Sequence, residues 1–144
     1  MTNSANVDKL IHFYEQLTPA SLALFFEVYS DDAYFKDPFN EVNGLPAIQH
    51  IFSHMFDKVD APRFIVTQRV EDDGGAVLVW DFTYRVRLWG GGKTQVMRGA
   101  SHVKFDAAGK VCYHRDYWDT GEELYMKLPL LGGLMRFLRD ALAA

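Results

Sequence analysis

The densest reactive chemistry of the chain lies in one short run, KVCYHRDYWDTGEELY, residues 110 to 125. His114 and Asp116 stand two apart, so on a β-strand both project from one face, together with Cys112 and Trp118. A carboxylate beside an imidazole is an acid–base pair. In apolar surroundings the charged carboxylate is disfavoured, and its affinity for a proton rises toward what general acid–base catalysis requires. The imidazole can share that proton or orient the carboxylate. The opposite face takes Tyr113, Arg115, Tyr117 and Asp119. Both faces are amphipathic, so alternation alone leaves open which one turns inward. A buried structural pair is the competing reading of His114 and Asp116.

Other spacings invite chemistry less convincingly. His50 and His54 have the i, i+4 spacing of a helical metal pair, yet they oppose the apolar stripe and lack the intervening glutamate of the zinc-protease pattern. A solvated face is expected there, and no metal site. Gly90-Gly91-Gly92 precedes a strand and not a helix N-terminus, which argues against a phosphate loop. Ser101 and His102 are adjacent on a strand and face opposite ways, so they make no nucleophile–base pair. The single cysteine, Cys112, excludes a disulfide within the chain and a multi-cysteine metal centre.

The elements that must position these residues are legible from hydrophobic period. VDKLIHFYEQL places Leu10, Phe13, Tyr14 and Leu17 on one helical stripe. Thr18-Pro19 reads as the N-cap and first residue of a second helix, with Leu22, Phe25, Phe26 and Tyr29 inward. DDAYFKDP is a short strand closed by Pro38, and Asn43-Gly44 is a turn. LPAIQHIFSHMFDKV is a third helix with Ile48, Ile51, Phe52, Met55, Phe56 and Val59 inward. After Pro62 the period changes to two. RFIVTQRVE, AVLVWDFTYRVRLW, KTQVMRGASHVKFD and KVCYHRDYWD are separated by glycine-bearing turns, the pattern of an antiparallel meander. Leu78, Trp80, Phe82, Tyr84 and Val86 share an apolar strand face, as do Met97, Gly99, Ser101, Val103 and Phe105. PLLGGLMRFLRDALAA closes the chain as an apolar-sided helix. The layout is α+β.

The chain of 144 residues suffices for one domain, expected to span 1–144, with 49% hydrophobic and 24% charged residues, the balance of a folded globular protein. A net charge of −4 does not favour nucleic acid as a partner. Arg85, Arg87, Arg98 and Lys104 form a local basic patch better suited to a dimer interface or solvent. No apolar run reaches the roughly 18 residues of a spanning helix, and no basic region precedes an apolar segment at the N-terminus. A cytoplasmic location is the default expectation. Aromatic residues at 15% suit either a large core or a lipophilic pocket.

HFYEQL, DDAYFKDPFNEVNGLPAIQHIF, the glycine-punctuated meander, SHVKFDAAGKV and HRDYWD, in this order, resemble the NTF2-like superfamily, in particular its SnoaL-like and ketosteroid-isomerase-like branch. The resemblance runs over nearly the whole chain. It implies a cone: a strongly curved antiparallel sheet wrapped around three N-terminal helices, an apolar pocket inside, a short C-terminal helix, and a homodimer formed through the outer sheet face. It also implies that His114, Asp116 and Trp118, with Ser101 and Val103, line the pocket. Trp80, Phe82 and Phe52 extend the expected wall.

Two acid–base arrangements follow from the resemblance. Asp37, in Asp37-Pro38, matches the base of the isomerase branch, and Tyr14 matches a helical tyrosine that polarises the substrate oxygen. Ser101 stands where that branch has a protonated aspartate, and Phe52 where it has a supporting tyrosine, so the donor pair is incomplete. Asp116 with His114 matches the acid–base position of polyketide-cyclase-like members. The competing readings are that Asp37 starts a turn through its own backbone and that Tyr14 is a core aromatic. The resulting expectation is a pocket for a small lipophilic molecule, without metal or organic cofactor, catalysing isomerisation, cyclisation or hydration of a carbonyl compound. The alternatives are a non-catalytic binding protein and a dimeric module whose cavity is filled by its own side chains. The C-terminal helix either closes the pocket mouth, the preferred reading, or touches a membrane.

Overall fold

The computed structural model describes residues 3–86, 92–124 and 130–143. The glycine turn at Gly90-Gly91, Arg87 of the basic patch and Pro129 at the start of the last expected helix lie outside them.

Helix α1 (Asn3–Glu15) buries Val7, Leu10 and Tyr14 at spacings of three and four. Thr18-Pro19 opens the second helical segment as expected, with the Thr18 amide donating to Ser21 Oγ at 3.0 Å. That segment, Pro19–Glu27, is a 3₁₀ helix and not an α-helix. With three residues per turn, Leu22, Phe25 and Val28 align inward. Phe25 is fully buried while Phe26 is half exposed. The chain is already extended at Tyr29, which begins strand β1 (Tyr29–Lys36) instead of ending a helical stripe, and its ring is fully buried.

Strand β2 (Glu41–Asn43) and helix α2 (Leu45–Lys58) follow, α2 burying Leu45, Ile48 and Phe52. His50 and His54 on its other side are exposed. Then come β3 (Val59–Asp72), β4 (Gly75–Val86), β5 (Thr94–Phe105) and β6 (Val111–Tyr117). The sheet order is β2-β1-β6-β5-β4-β3. Strands β3 to β6 form the antiparallel meander; β1 lies parallel to β6, with β2 antiparallel outside it. Register shifts between Asp60 and Arg63, and between Val66 and Gln68, bend the longest strand. The sheet is curved and unclosed. Helix α1 packs on β3 and β4, and α2 on the 3₁₀ helix, β1 and β3. The core between them includes Val7, Leu10, Phe25, Tyr29, Phe35, Ile48, Val103 and Val111.

Gly99 has a specific task. It is the cross-strand partner of Trp80, and a Cβ there would lie 2.4 Å from Cη2 of the indole. Without a side chain at Gly99 the indole lies across β5, where it reaches a neighbour of the site.

Past β6, α3 (Thr120–Glu123) is capped by Asp119, whose carboxylate accepts from the amides of Gly121 and Glu122. Helix α4 (Leu131–Leu142) leaves Leu134, Phe137 and Leu142 exposed. No residue of α4 lines the interior cavity.

Candidate active site

Strands β4, β5 and β6 bring Trp80, Ser101, His114 and Asp116 to the concave face, where α1 adds Tyr14 and β1 adds Tyr29. Ser101 and Asp116 are direct cross-strand partners, and the Ser101 hydroxyl donates to Asp116 Oδ1 at 2.5 Å. Trp80 Nε1 donates to Ser101 Oγ at 2.8 Å. His114 Nε2 lies 2.6 Å from the same Asp116 oxygen. On the far side of the imidazole, Nδ1 is 2.7 Å from the Tyr29 hydroxyl, which in turn is hydrogen-bonded to the Tyr14 hydroxyl. Six side chains thus form a continuous hydrogen-bonded line from Trp80 to Tyr14, with Asp116 at its centre.

The donor inventory fixes the direction of most of this line. An indole N–H only donates, so Ser101 accepts from Trp80 and gives its own hydrogen to Asp116. An ionised carboxylate only accepts, so His114 Nε2 carries a proton. With the imidazole neutral, Nδ1 then accepts from Tyr29, and Tyr29 accepts from Tyr14. Both arms converge on Asp116 Oδ1. Among the described residues, Oδ2 has no hydrogen-bond partner.

The surroundings are apolar. His114 is 3% exposed and packs against Phe35, with ring centroids 4.7 Å apart. Tyr29 stacks on the imidazole at 6.0 Å. Burial pushes the Tyr14 phenol well above its ordinary value of 10.0, reinforced by Tyr29 and by the charge of Asp116. Burial likewise raises Tyr29, against a smaller lowering effect of the hydrogen bond to Tyr14. The Asp116 side chain keeps 17% of its surface exposed. It borders two spaces. One is an interior cavity of about 30 Å³, lined by Leu10, Tyr14, Phe52, Phe64, Val66, Leu78, Trp80, Ser101, Val103 and His114 as well. The other is an open cleft of about 550 Å³ at the end of β1 and β6.

The structure therefore gathers Tyr14, Phe52, Trp80, Ser101, Val103, His114 and Asp116 around one cavity. It sets the other three candidates elsewhere. Asp37 borders the open cleft, and its Oδ1 accepts from the amides of Phe39 and Asn40 at 2.8 and 2.7 Å, while the Asn40 side chain bonds both oxygens. It holds its own turn. Trp118 also borders the cleft, edge-on to Phe39 at 5.5 Å. Phe82 is buried between Phe64 and Tyr84, at 4.5 and 5.2 Å, away from the cavity wall. Leu78 lines the cavity from the strand face read as apolar, and Phe64 and Val66 line it from β3, whose faces the sequence reading did not assign. Tyr29 was not legible as part of the site, because the helical period assigned it to another element. No group of three or more potential metal ligands occurs among the described residues.

A model of the SnoaL-like domain matches residues 10–114, most of the chain and nearly all of the sheet. The chain belongs to the SnoaL-like family. No curated protein matches the sequence. Solved structures share the fold of this SnoaL-like protein at low identity. An NTF2-like protein of unknown function from Burkholderia pseudomallei is 14% identical with a TM-score of 0.73, over 90% of this chain and 100% of the other. A protein with a ketosteroid isomerase-like fold from Catenulispora acidiphila, in complex with trimethylamine, is 11% identical with a TM-score of 0.71, over 86% and 93%. A candidate SnoaL-like polyketide cyclase from Shewanella denitrificans is 15% identical with a TM-score of 0.70, over 85% and 96%. At these identities the likeness establishes the fold alone. No helix among the described residues is long and apolar enough to cross a membrane.

Proposed function

We propose that this SnoaL-like protein is an acid–base enzyme that moves a proton on a small carbonyl compound, with Asp116 as the base. The observation that carries the reading is the state of that carboxylate. Ser101 and His114 hold Oδ1 from two directions at 2.5 and 2.6 Å, Oδ2 has no hydrogen-bond partner among the described residues, and Asp116 borders an apolar cavity. A carboxylate fixed in this way presents a free lone pair at a defined point, the arrangement a general base needs. Asp37 is the weaker candidate, since its oxygens already accept four hydrogen bonds within its turn.

The two spaces at Asp116 constrain the substrate. About 30 Å³ holds little more than a water molecule, so only the reacting end of a substrate fits inside without movement of the wall. Its remainder then lies in the outer cleft beside Trp118. The test is solvent deuterium incorporation at the α-carbon of small ketones and cyclic enones, followed by NMR in D₂O. Asp116→Asn is expected to lower exchange by about 10²–10⁴-fold, while Asp37→Asn retains it. Equal exchange by wild type and Asp116→Asn across the panel sinks the reading.

The small cavity also favours a second reading, in which the cone is filled by its own side chains and the protein acts through its surface. Phe25 and Phe52, with ring centroids 5.0 Å apart, occupy much of that interior. A second copy docked on the convex face, where Ile65, Val77 and Tyr117 are exposed, belongs to this alternative. It predicts a concentration-dependent dimer in sedimentation and no exchange with any substrate.

A further inference from the structure

The arm that runs from Asp116 through His114 and Tyr29 to Tyr14 has both of its ends at the same cavity. Asp116 and Tyr14 line it, whereas Tyr29, between them, does not. With His114 neutral, the Tyr14 hydrogen is committed to Tyr29, the Tyr29 hydrogen to Nδ1, and Nε2–H to Asp116. Tyr14 then offers the cavity lone pairs only. With His114 carrying two protons, Nδ1 becomes a donor. Tyr29 must accept from it and turn its own hydrogen toward Tyr14, and the Tyr14 hydrogen is released into the cavity.

We infer that Tyr29 is the positioning residue of a reversible proton relay, which makes the Tyr14 hydroxyl a donor to bound substrate only while His114 is charged. The inference rests on the acid–base reading of Asp116 and extends it. The protons balance. Starting from the imidazolium–carboxylate pair, the substrate C–H proton passes to Asp116 Oδ2 and its electron pair moves onto the carbonyl. The carbonyl oxygen takes the hydrogen of Tyr14. Tyr14 is replenished from Tyr29, and Tyr29 from Nδ1. The enol is formed, Asp116 is neutral and His114 is neutral, with no net proton gained or lost. Return of the Asp116 proton to a different carbon, with the relay running backward, completes an isomerisation. The two transfers inside the relay, from Tyr29 to Tyr14 and from Nδ1 to Tyr29, run along hydrogen bonds already present.

The groups facing the imidazole support this isolation. Asp116 lies on its own strand, Tyr29 and Phe35 come from β1, and Tyr14 from α1. Asp116 is the charged group among them. The raised Tyr14 and Tyr29 phenols keep their protons across the physiological range, as intermediate carriers must.

The test reads the imidazole directly and needs no substrate. Long-range ¹H–¹⁵N spectra of the ¹⁵N-histidine-labelled protein are expected to show Nε2 protonated and Nδ1 bare in the neutral form, and both protonated in the charged form. Tyr14→Phe leaves the neutral arm intact but strips the charged arm of its last acceptor, so that the buried Tyr29 hydrogen is left unpaired. The imidazolium form should become roughly tenfold rarer at a given pH. A Nδ1-protonated neutral form in the wild type overturns the relay, whatever the variants do. An unshifted His114 titration in a folded Tyr14→Phe protein also overturns it. Loss of deuterium exchange in Asp116→Asn with an unshifted titration in Tyr14→Phe would retain the base and reject the relay.

Discussion

Ser101 joins Trp80 to Asp116, and its removal gives a quantitative test. Ser101→Ala takes the acceptor from Trp80 Nε1, an atom of a residue only 5% exposed, and one of two donors from Asp116 Oδ1. An unsatisfied buried N–H costs about 1–3 kcal/mol, and a lost hydrogen bond to a charged group about 1.5–3 kcal/mol. The second figure belongs at its lower end, because the Asp116 side chain retains 17% exposure and water can reach it. The neighbouring cavity of about 30 Å³, enlarged by the lost hydroxyl, also admits a water that recovers part of the first. The expected net loss is about 2 kcal/mol. For a urea slope of about 2 kcal/mol per molar, the midpoint falls by about 1 M. A double-mutant cycle with Trp80→Phe isolates the coupling. In the Trp80→Phe background no indole is left unpaired, so Ser101→Ala should cost about 1 kcal/mol less. A midpoint within about 0.25 M of wild type, or strict additivity of the two changes, would refute the Trp80–Ser101–Asp116 arm.

Two further outcomes follow from packing and ionisation. Tyr14 and Tyr29 have folded-state values raised above the 10.0 of the unfolded chain. Their contribution is therefore fully present below pH 10 and is lost as pH rises beyond it, by up to about 1.4 kcal/mol per pH unit for each. In a stopped-flow alkaline jump their phenolate absorbance should appear only with the loss of far-ultraviolet circular dichroism; full ionisation of all seven tyrosines in the folded state contradicts this. Gly99→Ala places a methyl 2.4 Å from the Trp80 ring, so the indole must swing off β5 and release Ser101. A loss of about 1–3 kcal/mol and an altered near-ultraviolet spectrum are expected, and an unchanged spectrum contradicts the close packing.

Period-two alternation on β4 and β5 was enough to name Leu78, Trp80, Ser101 and Val103 as inward residues, because a half-buried sheet repeats its environment every second position. The same alternation on β6 could not choose between the face of His114 and that of Arg115, since both faces mix charged and apolar groups. The family resemblance selected His114 and Asp116, and the structure places both on the concave side. Tyr29 escaped because a helical stripe through Leu22, Phe25 and Phe26 reaches it at the right spacing. The segment instead winds as a 3₁₀ helix that ends at Glu27, with Phe25 buried in the core.

By itself, then, the sequence determined the order of elements, the apolar strand faces and the presence of an Asp–His pair, all of which are short-range patterns. Tertiary structure alone decided three things. It laid β1 parallel to β6, which carries Tyr29 to His114 across 85 residues. It tied Asp37 into its own turn and so separated it from the cavity. It also left the interior so full that Asp116 faces about 30 Å³ of space. The physical reason is common to all three: hydrogen-bond partners and packing volumes are set by residues distant in the chain, and no local period encodes them.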